Sequence, residues 1–187
     1  MQISSEGMGI VLRILEEDDL PDVTEGANDR SIHEGAPLVP YPYTYMNAAE
    51  LLAGARKGLL EGSAYHMCIR TIDGGFVGMC ALYEVDRGSR NAQVGYWIRS
   101  SMRGRGYGRG AVALISSFGF SVLGLERICA KVLRRNRSSI RLLEAVGFRI
   151  EGDLRADTPV DGKLLDSRIY GLSAKGFNAV RFRIDGK

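Results

Sequence analysis

The chain has 187 residues, which is the length of one domain when roughly 100 to 200 residues per domain is typical. Its 25 basic and 22 acidic residues leave a formal net charge of +3, too small to indicate a nucleic-acid-binding protein. Hydrophobic residues make up 45% of the chain, as in ordinary globular proteins, whereas its 24 glycines exceed the usual share of about 7% and indicate many turns. We expect one domain over residues 1–187, with a core over about 10–173 and a basic tail over 174–187.

Cysteine usage and hydropathy indicate a cytoplasmic protein that does not enter a membrane. Cys68, Cys80 and Cys129 are odd in number, have no CxxC spacing and predict reduced core residues. The two histidines are too few for a histidine-rich metal site, so we expect no metal. The N-terminal MQISSEGMG lacks the basic and apolar regions of a signal peptide. The longest uncharged run, residues 110–125, is shorter than the roughly 20 residues that span a bilayer.

The first quarter of the chain predicts a strand, a helix, a loop and a second helix. Residues 10–15 are β-branched and leucine-rich and predict the strand. The acidic residues 16–19 favour a helix start. Residues 31–45 contain three prolines and predict an ordered loop instead of a regular helix, which either packs over the core or lines a substrate pocket. Asn47 and Glu50 resemble a capping box at the start of the second helix.

Three strand-like runs then predict an antiparallel meander, at Tyr65–Thr71, 76–85 and Asn91–Ile98. The first two runs flank Asp73-Gly74-Gly75, which is a hairpin signal. A cluster of glycine and arginine follows the third run and leads into residues 111–123, where apolar residues recur at helical spacing.

The last part of the chain predicts a parallel strand, a helix and a hairpin. Arg127–Leu133 returns through the helical crossover and therefore lies parallel to Asn91–Ile98. Asn136 caps a helix that Gly147 ends. Two strands, 148–154 and 164–172, are joined across the turn at Asp161-Gly162. The predicted fold class is α+β (mixed α/β), a mostly antiparallel twisted sheet of about seven strands with a central parallel pair, flanked by about four helices.

Residues 103–110 alternate glycine with arginine or tyrosine and form a candidate anion site. Free N–H groups at a helix start and the positive end of the helix dipole favour phosphate, and arginines add charge-assisted contacts. The stretch 106–111 also fits the dinucleotide pattern G-x-G-x-x-A, with Glu126 about twenty residues further on. Glu126 begins the next strand, however, whereas a ribose-binding acid ends it, and the loop follows an antiparallel meander. The pattern therefore does not favour a nicotinamide enzyme.

Two motifs together resemble the GNAT superfamily of N-acetyltransferases, and within it the RimJ/RimL-like branch. Residues 103–108 resemble the acetyl-CoA signature, Arg or Gln, two residues, Gly, one residue, Gly or Ala, and follow a strand of the branch's type at 93–98. Residues 136–148 are similar to the branch's N-x-x-S-x-R-x-L-E-x-x-G-F almost position by position. The hairpin at 152–155 and 161–162 is also similar. The resemblance covers about residues 10–173.

The resemblance implies a GNAT-like fold and acetyl-CoA as co-substrate. It implies transfer of an acetyl group to a primary amine, on a peptide N-terminus or a small molecule, by direct attack in a ternary complex. The strand backbone would hold the pantetheine arm, and an N–H near Ile98 would stabilise the oxyanion. The implied cofactor-binding residues are Trp97, Ile98, Arg103, Gly104, Arg105, Gly106, Tyr107, Gly108, Arg109 and Asn136.

The catalytic residues depart from the common pattern. Many superfamily members place a tyrosine general acid seven residues after the asparagine, where this chain has Leu143. In the branch, the serine three residues after the asparagine is the candidate proton donor, here Ser139, although a hydroxyl at that helix position can also serve backbone N–H groups. Gln93 stands where the branch often has glutamate. Glu84 or Asp86 is then the candidate base through a water, or only attracts the cationic amine.

Two other functional classes stay open at this point. Leu143 and Gln93 are compatible with a catalytically weak CoA-binding sensor domain, and the clustered arginines are compatible with an RNA-binding module. The leading hypothesis is the N-acetyltransferase, with an amine substrate, no nucleic acid or membrane partner, and a homodimer left open. We expect the acceptor pocket to be built by the loops at 31–45 and 155–163.

Overall fold

One nine-stranded sheet runs through the molecule in a computed structural model that describes residues 1–186. The strands lie in the order β7-β8-β6-β5-β4-β3-β2-β1-β9, and every neighbouring pair is antiparallel except β5 and β6. This arrangement confirms the predicted fold class. The strands are β1 (Gln2–Ser4), β2 (Ile10–Ile14), β3 (Tyr65–Thr71), β4 (Phe76–Asp86), β5 (Asn91–Ile98), β6 (Arg127–Leu133), β7 (Arg149–Val160), β8 (Lys163–Ser173) and β9 (Arg183–Asp185).

Helices cover both faces of the sheet. They are α1 (Leu20–Ala27), α2 (Arg30–Gly35), α3 (Tyr45–Glu61), α4 (Tyr107–Ser121) and α5 (Arg137–Val146). Apolar residues of α1 and α3 share one core cluster with Phe76 and Trp97 of the sheet. Those of α4 and α5 form the larger cluster with the opposite face. None of the helices within residues 1–186 is long and apolar enough to cross a membrane.

The two strands that sequence patterns did not predict lie together at one end of the sheet. β1 and β9 have three residues each, too short for an alternating pattern to be recognised, and they pair with each other. The segment predicted as a tail therefore belongs partly to the sheet. It is held on α4, where the Val180 N–H donates to Ser117 Oγ at 2.9 Å and the rings of Phe120 and Phe177 lie 5.3 Å apart.

Two helix boundaries differ from the prediction. The loop predicted over 31–45 is wrong at its start, because the Asp29 side chain accepts the Ser31 N–H and caps α2 before the first proline of the segment. Asn47 was predicted to cap the next helix, but Thr44 is the cap. The Asn47 N–H donates to Thr44 Oγ1 at 3.4 Å and Asn47 Oδ1 accepts the Thr44 N–H at 2.9 Å, a reciprocal capping box that starts α3 at Tyr45.

The parallel pair at the centre of the sheet separates after three residue pairs. Strand β5 pairs with β6 only from Asn91 to Gln93, opposite residues 127–129. Beyond that point β5 continues beside β4 as far as Ile98, and β6 continues beside β8 as far as Leu133. The V-shaped gap between residues 94–98 and 130–133 is called the fork below. It leaves backbone hydrogen-bonding groups on both of its edges free for a ligand.

A buried ion cluster fixes the start of α1 to strands β2 and β3. Asp19 is fully buried, and its carboxylate lies 2.5 Å from Arg13 Nη2 and 2.7 Å from Arg70 Nη2. Burial by itself would raise the pKa of Asp19. The hydrogen bonds from Arg70 and the Glu16 N–H, with the charges of both arginines, nevertheless hold that pKa below its usual value.

We expect Asp19→Asn to lower the free energy of unfolding by about 3 kcal/mol at pH 7, because it leaves two arginines without their buried partner. The lowered pKa means that the carboxylate stabilises the fold above its unfolded value of about 3.9 and loses this effect as pH falls through the lower folded value. Urea unfolding from pH 7 to pH 2 should therefore show a flatter acid limb in Asp19→Asn than in the wild type. The neighbouring, exposed Asp18→Asn is the control, and an equal loss in it would contradict this role.

Candidate active site

The glycine-rich loop before α4 presents an uncapped helix N-terminus. Gly104 and Gly106 have φ values of 76° and 81°, in the left-handed region that favours glycine. A Cβ at either position would meet no atom within 4 Å, so the loop surface is open. Gly106 is the N-cap of α4, no side chain caps this end, and the N–H groups of the first turn have no intrahelical acceptors. The loop is therefore suited to bind an anion through its backbone.

The three arginines around this loop differ in what they contact. Arg103 donates from Nε to the Ile98 carbonyl oxygen at 3.0 Å and from Nη1 to Ser31 Oγ at 2.9 Å. It therefore closes the loop back on β5 and α2. Arg105 reaches only the Ser101 carbonyl oxygen, at 3.5 Å, and Arg109 is exposed at the first turn of α4. Arg105 and Arg109 are thus the two side chains available to an anion at the loop.

The last residue of β5, Ile98, presents its backbone to the fork. The Arg99 N–H donates to the Val77 carbonyl oxygen at 2.9 Å, and Ile98 pairs with Gly78 in the register of β4. Because hydrogen-bonding direction alternates along a strand, the N–H and C=O of Ile98 face the fork, whereas those of Trp97 face β4. The Ile98 carbonyl oxygen already accepts a hydrogen bond from Arg103 Nε. Of the two strand residues predicted to hold the cofactor, Ile98 therefore offers a free N–H to the fork.

Asn136 ties the fork's second strand to two helices. Its Oδ1 accepts the Ser139 N–H at 3.1 Å and the Ser138 hydroxyl at 2.9 Å, which confirms it as the cap of α5. Its Nδ2 donates to the Gly35 carbonyl oxygen at 3.1 Å, at the end of α2. Capping therefore uses the backbone N–H of Ser139 and leaves the Ser139 hydroxyl for another partner.

That partner is Tyr96, which sequence reasoning did not select. Tyr96 Oη lies 2.6 Å from Ser139 Oγ and 3.4 Å from the Ser139 carbonyl oxygen. Burial raises the pKa of Tyr96 to about 12, although the hydrogen bond with Ser139 acts against the rise. The alternation of side chains along β5 could have indicated Tyr96. Tyr96 and Ile98 are two residues apart and therefore share the face that packs against α4 and α5.

Leu143 occupies the helix position where many members of the resembled superfamily have tyrosine. It is 1% exposed and packs in the main core. No hydroxyl therefore reaches the fork from that position of α5, and the hydroxyls near its first turn are those of Ser138, Ser139 and Tyr96.

Glu84 lies at the base of the fork, on the face of the sheet opposite to Ser139 and α5. It sits in a β-bulge of β4 with a φ of 50°, an uncommon conformation for a residue other than glycine. Gln93 Nε2 donates to Glu84 Oε2 at 2.5 Å, and the Tyr83 hydroxyl donates to Gln93 Oε1 at 3.5 Å. Gln93 is in the last residue pair before the strands separate. The structure therefore brings Glu84 to one side of the fork and Ser139 to the other.

The two loops expected to build an acceptor pocket meet beside the fork. Helix α2, from the 31–45 segment, contacts the β7–β8 hairpin turn, where Asp161 lies 3.2 Å from Arg30 Nη2 and 3.1 Å from His33 Nε2. On its other side, α2 is joined to Asn136 and Arg103. It therefore spans from the glycine loop to the hairpin and borders the entrance to the fork.

A cavity of about 490 Å³ lies where β5 ends, between the α1–α2 turn and Arg99. Its two carboxylates are already engaged, because Glu25 lies 2.7 Å from Arg99 Nη2 and Asp29 Oδ1 accepts the Ser31 N–H.

Within residues 1–186 no group of three or more histidine, cysteine or acidic side chains is arranged to hold a metal ion.

The chain is similar to known proteins in sequence and in overall fold. The family described as "Acetyltransferase (GNAT) domain" matches residues 10–149. The protein named "Probable N-acetyltransferase YjcK" of Bacillus subtilis (strain 168) is 30% identical over 70% of this chain and 73% of its own. Spermidine N(1)-acetyltransferase of Vibrio cholerae is 25% identical over 90% and 96%. The structure of Mycobacterium smegmatis RimJ in complex with CoA-disulfide is similar with a TM-score of 0.88 and 26% identity, over 96% of this chain and 90% of RimJ.

We expect Gly106→Glu to abolish CoA binding, because a carboxylate at the N-terminus of α4 repels the pyrophosphate and occupies its place. Isothermal titration with CoA measures the loss. Gly106→Ala is the matched control: its Cβ adds the same left-handed backbone strain but meets open space and carries no charge. It should weaken binding far less. Wild-type affinity in Gly106→Glu would contradict the assignment of the loop.

Proposed function

This chain belongs to the GNAT acetyltransferase family, in its RimJ/RimL-like branch, and is an acetyl-CoA-dependent N-acetyltransferase; from that premise we propose that it acetylates a primary amine carrying a single positive charge, by direct attack in a ternary complex. The observation that carries the proposal is the fork, which has a free N–H at Ile98 on one edge, the Ser139 hydroxyl on the α5 side and Glu84 on the opposite face.

The cofactor spans from the glycine loop to the fork in this proposal. Backbone N–H groups at 104–109 bind the pyrophosphate, with Arg105 and Arg109 beside them, while Arg103 holds the loop in shape. The pantetheine arm extends into the fork along the free edge of β5. The capping amide of Asn136 lines the other side. This placement brings the thioester to the space between Ser139 and the base of the fork.

The residues of the fork then divide the chemistry of acyl transfer. Acetyl-CoA supplies the thioester carbonyl that a neutral amine attacks, with negative charge building on the carbonyl oxygen. The Ile98 N–H donates to that oxygen and stabilises the charge. Ser139 donates its hydroxyl proton to the sulfur as the C–S bond breaks. Glu84, on the opposite face, attracts the cationic amine and accepts its proton through water.

The charges around the fork favour an amine with one positive charge over a polyamine. Most nearby carboxylates already have cationic partners: Asp157 pairs with Lys131, Asp161 with Arg30 and Glu151 with Arg127. Glu84 and Asp86 have no ion pair among the described residues, but Asp86 accepts hydrogen bonds from the Gly88 and Ser89 N–H groups and from the Ser89 hydroxyl. Glu84 is therefore the carboxylate left for an amine. One such carboxylate suits an α-amine, whose ordinary pKa near 8 leaves part of it neutral at cellular pH, whereas amines near 10.4 need a stronger base. We therefore infer a peptide N-terminus or a small monoamine as the acceptor.

The acceptor class is tested by thiol release from acetyl-CoA with a panel of N-terminal peptides, monoamines and spermidine. We expect turnover with at least one peptide or monoamine and a higher kcat/KM for it than for spermidine. Glu84→Gln should raise KM for the amine without changing CoA affinity. A preference for spermidine would overturn the proposed acceptor class, and no release with any amine would overturn the transfer itself.

Ser139→Ala is expected to lower kcat by about 100-fold, the lower end of the range for general acid catalysis, while the Kd for CoA changes by less than about twofold. Removing a hydroxyl that only satisfied the helix start would alter neither value much, because Asn136 already caps the Ser139 N–H. Ser138→Ala is the control, one residue away with its hydroxyl on Asn136 Oδ1. An unchanged kcat in Ser139→Ala would remove it from the mechanism.

A further inference from the structure

The Tyr96 hydroxyl lies against Ser139 on the side of the sheet that faces α5. It lies 2.6 Å from Ser139 Oγ, and its second contact, at 3.4 Å, is to the carbonyl of the same residue. The side chain comes from β5, two residues before Ile98, on the same face of the sheet as α5. One tyrosine therefore links the strand that offers the Ile98 N–H to the helix that offers the Ser139 hydroxyl.

We propose, on the basis of the function inferred above, that Tyr96 is a positioning residue that donates its hydroxyl proton to Ser139 Oγ while Ser139 gives its own proton to the departing sulfur. Tyr96, on the strand, thereby supports Ser139 as the proton donor. Leu143 of α5 cannot fill that role because it has no hydroxyl. With the Tyr96 proton on Ser139 Oγ, the Ser139 O–H is free to point into the fork.

The proton balance closes without any further reactant. The amine forms a C–N bond with the thioester carbon, and the C–S bond breaks with its electron pair on sulfur. The Ser139 proton moves to sulfur, and the Tyr96 proton moves to Ser139 Oγ. The proton released from the acceptor nitrogen passes to Glu84 and then to solvent. After the thiol has left the fork, Ser139 Oγ takes up one proton from solvent and returns one to the Tyr96 oxygen. The products are an amide and the CoA thiol, with both hydroxyls restored.

Two properties of a phenol suit this place. A phenol is a stronger acid than an aliphatic alcohol, so negative charge is less costly on Tyr96 than on Ser139. Burial raises the pKa of Tyr96 to about 12, so the hydroxyl stays protonated and able to donate across the neutral range. Serine alone, with an exposed partner such as water, would have neither a fixed orientation nor an acidic group behind it.

The chain offers a matched control in Tyr170. Its hydroxyl also links a strand to α5, donating from β8 to Glu144 Oε1 at 3.1 Å near the C-terminal end of the helix. Tyr170→Phe and Tyr96→Phe each remove one hydroxyl that ties a strand to α5. Only Tyr96 lies at Ser139, so a loss caused by loosening the helix should appear in both variants.

The first measurement needs no acceptor amine. The thiol of bound CoA is titrated by thiolate absorbance, with the desulfo-CoA complex as the blank, in the wild type, Tyr96→Phe, Ser139→Ala, the double variant and Tyr170→Phe. Hydrogen bonds to a thiolate favour its charged form, so the titration midpoint should rise in both single variants. The double variant should rise no further than Ser139→Ala, because Tyr96 acts through Ser139. Tyr170→Phe should match the wild type.

The second measurement is the single-turnover rate with an accepted amine. Tyr96→Phe should lower it about tenfold or more while the Kd for CoA stays within about twofold, and fluorotyrosine at position 96, which keeps the hydroxyl, should restore most of the rate. An unshifted titration in Tyr96→Phe, or an equal effect in Tyr170→Phe, would overturn the proposal. A shifted titration without transfer to any amine would contradict the proposed function and leave this role of Tyr96 standing.

Discussion

The separation of β5 from β6 is the constraint on which the rest of the site depends. A parallel pair that stayed hydrogen-bonded along its length would consume the backbone groups of Tyr96 and Ile98, and the sheet would have no room for a thioester. Pairing stops at Gln93. Beyond it, β5 stays hydrogen-bonded to β4 and β6 stays hydrogen-bonded to β8, and these neighbours hold the two strands apart. Unpaired backbone N–H and C=O groups at the edges of the fork are energetically costly, and a ligand with amide groups can supply the hydrogen bonds that they lack.

Elements that look unrelated in the chain converge on this gap. The glycine loop follows directly from β5, and Asn136 follows from β6, so each edge of the fork leads to a helix start within a few residues. Helix α2 closes the remaining side through contacts with Arg103, Asn136 and Asp161. The two faces of the sheet then present different groups, with hydroxyl groups on the face toward α5 and the Glu84 carboxylate on the opposite face.

Much of the candidate site was accessible from the sequence because it depends on local patterns. The glycine loop, the Asn136 cap and Ser139 lie within two continuous stretches whose spacing sets their geometry. Tyr96 was missed because its partner is 43 residues away, and nothing in either stretch indicates their contact. The alternation of β5, which separates the roles of Trp97 and Ile98, depends on the register with β4, and an antiparallel register is set by packing across the whole sheet.

The sequence by itself determined the class of the fold and the position of the candidate phosphate-binding loop, because hydrophobic periodicity, turn residues and helix caps act over a few neighbouring residues. It indicated the family through the resemblance of two continuous motifs. It did not determine the nine-stranded extent of the sheet, the start of α2, or which side chains face each other across the fork. Those depend on contacts between distant segments, such as β1 with β9 and Tyr96 with Ser139, whose free energy arises only when the chain has folded. The tertiary structure therefore decided how the glycine loop and the Asn136 cap come to lie at two edges of one candidate site.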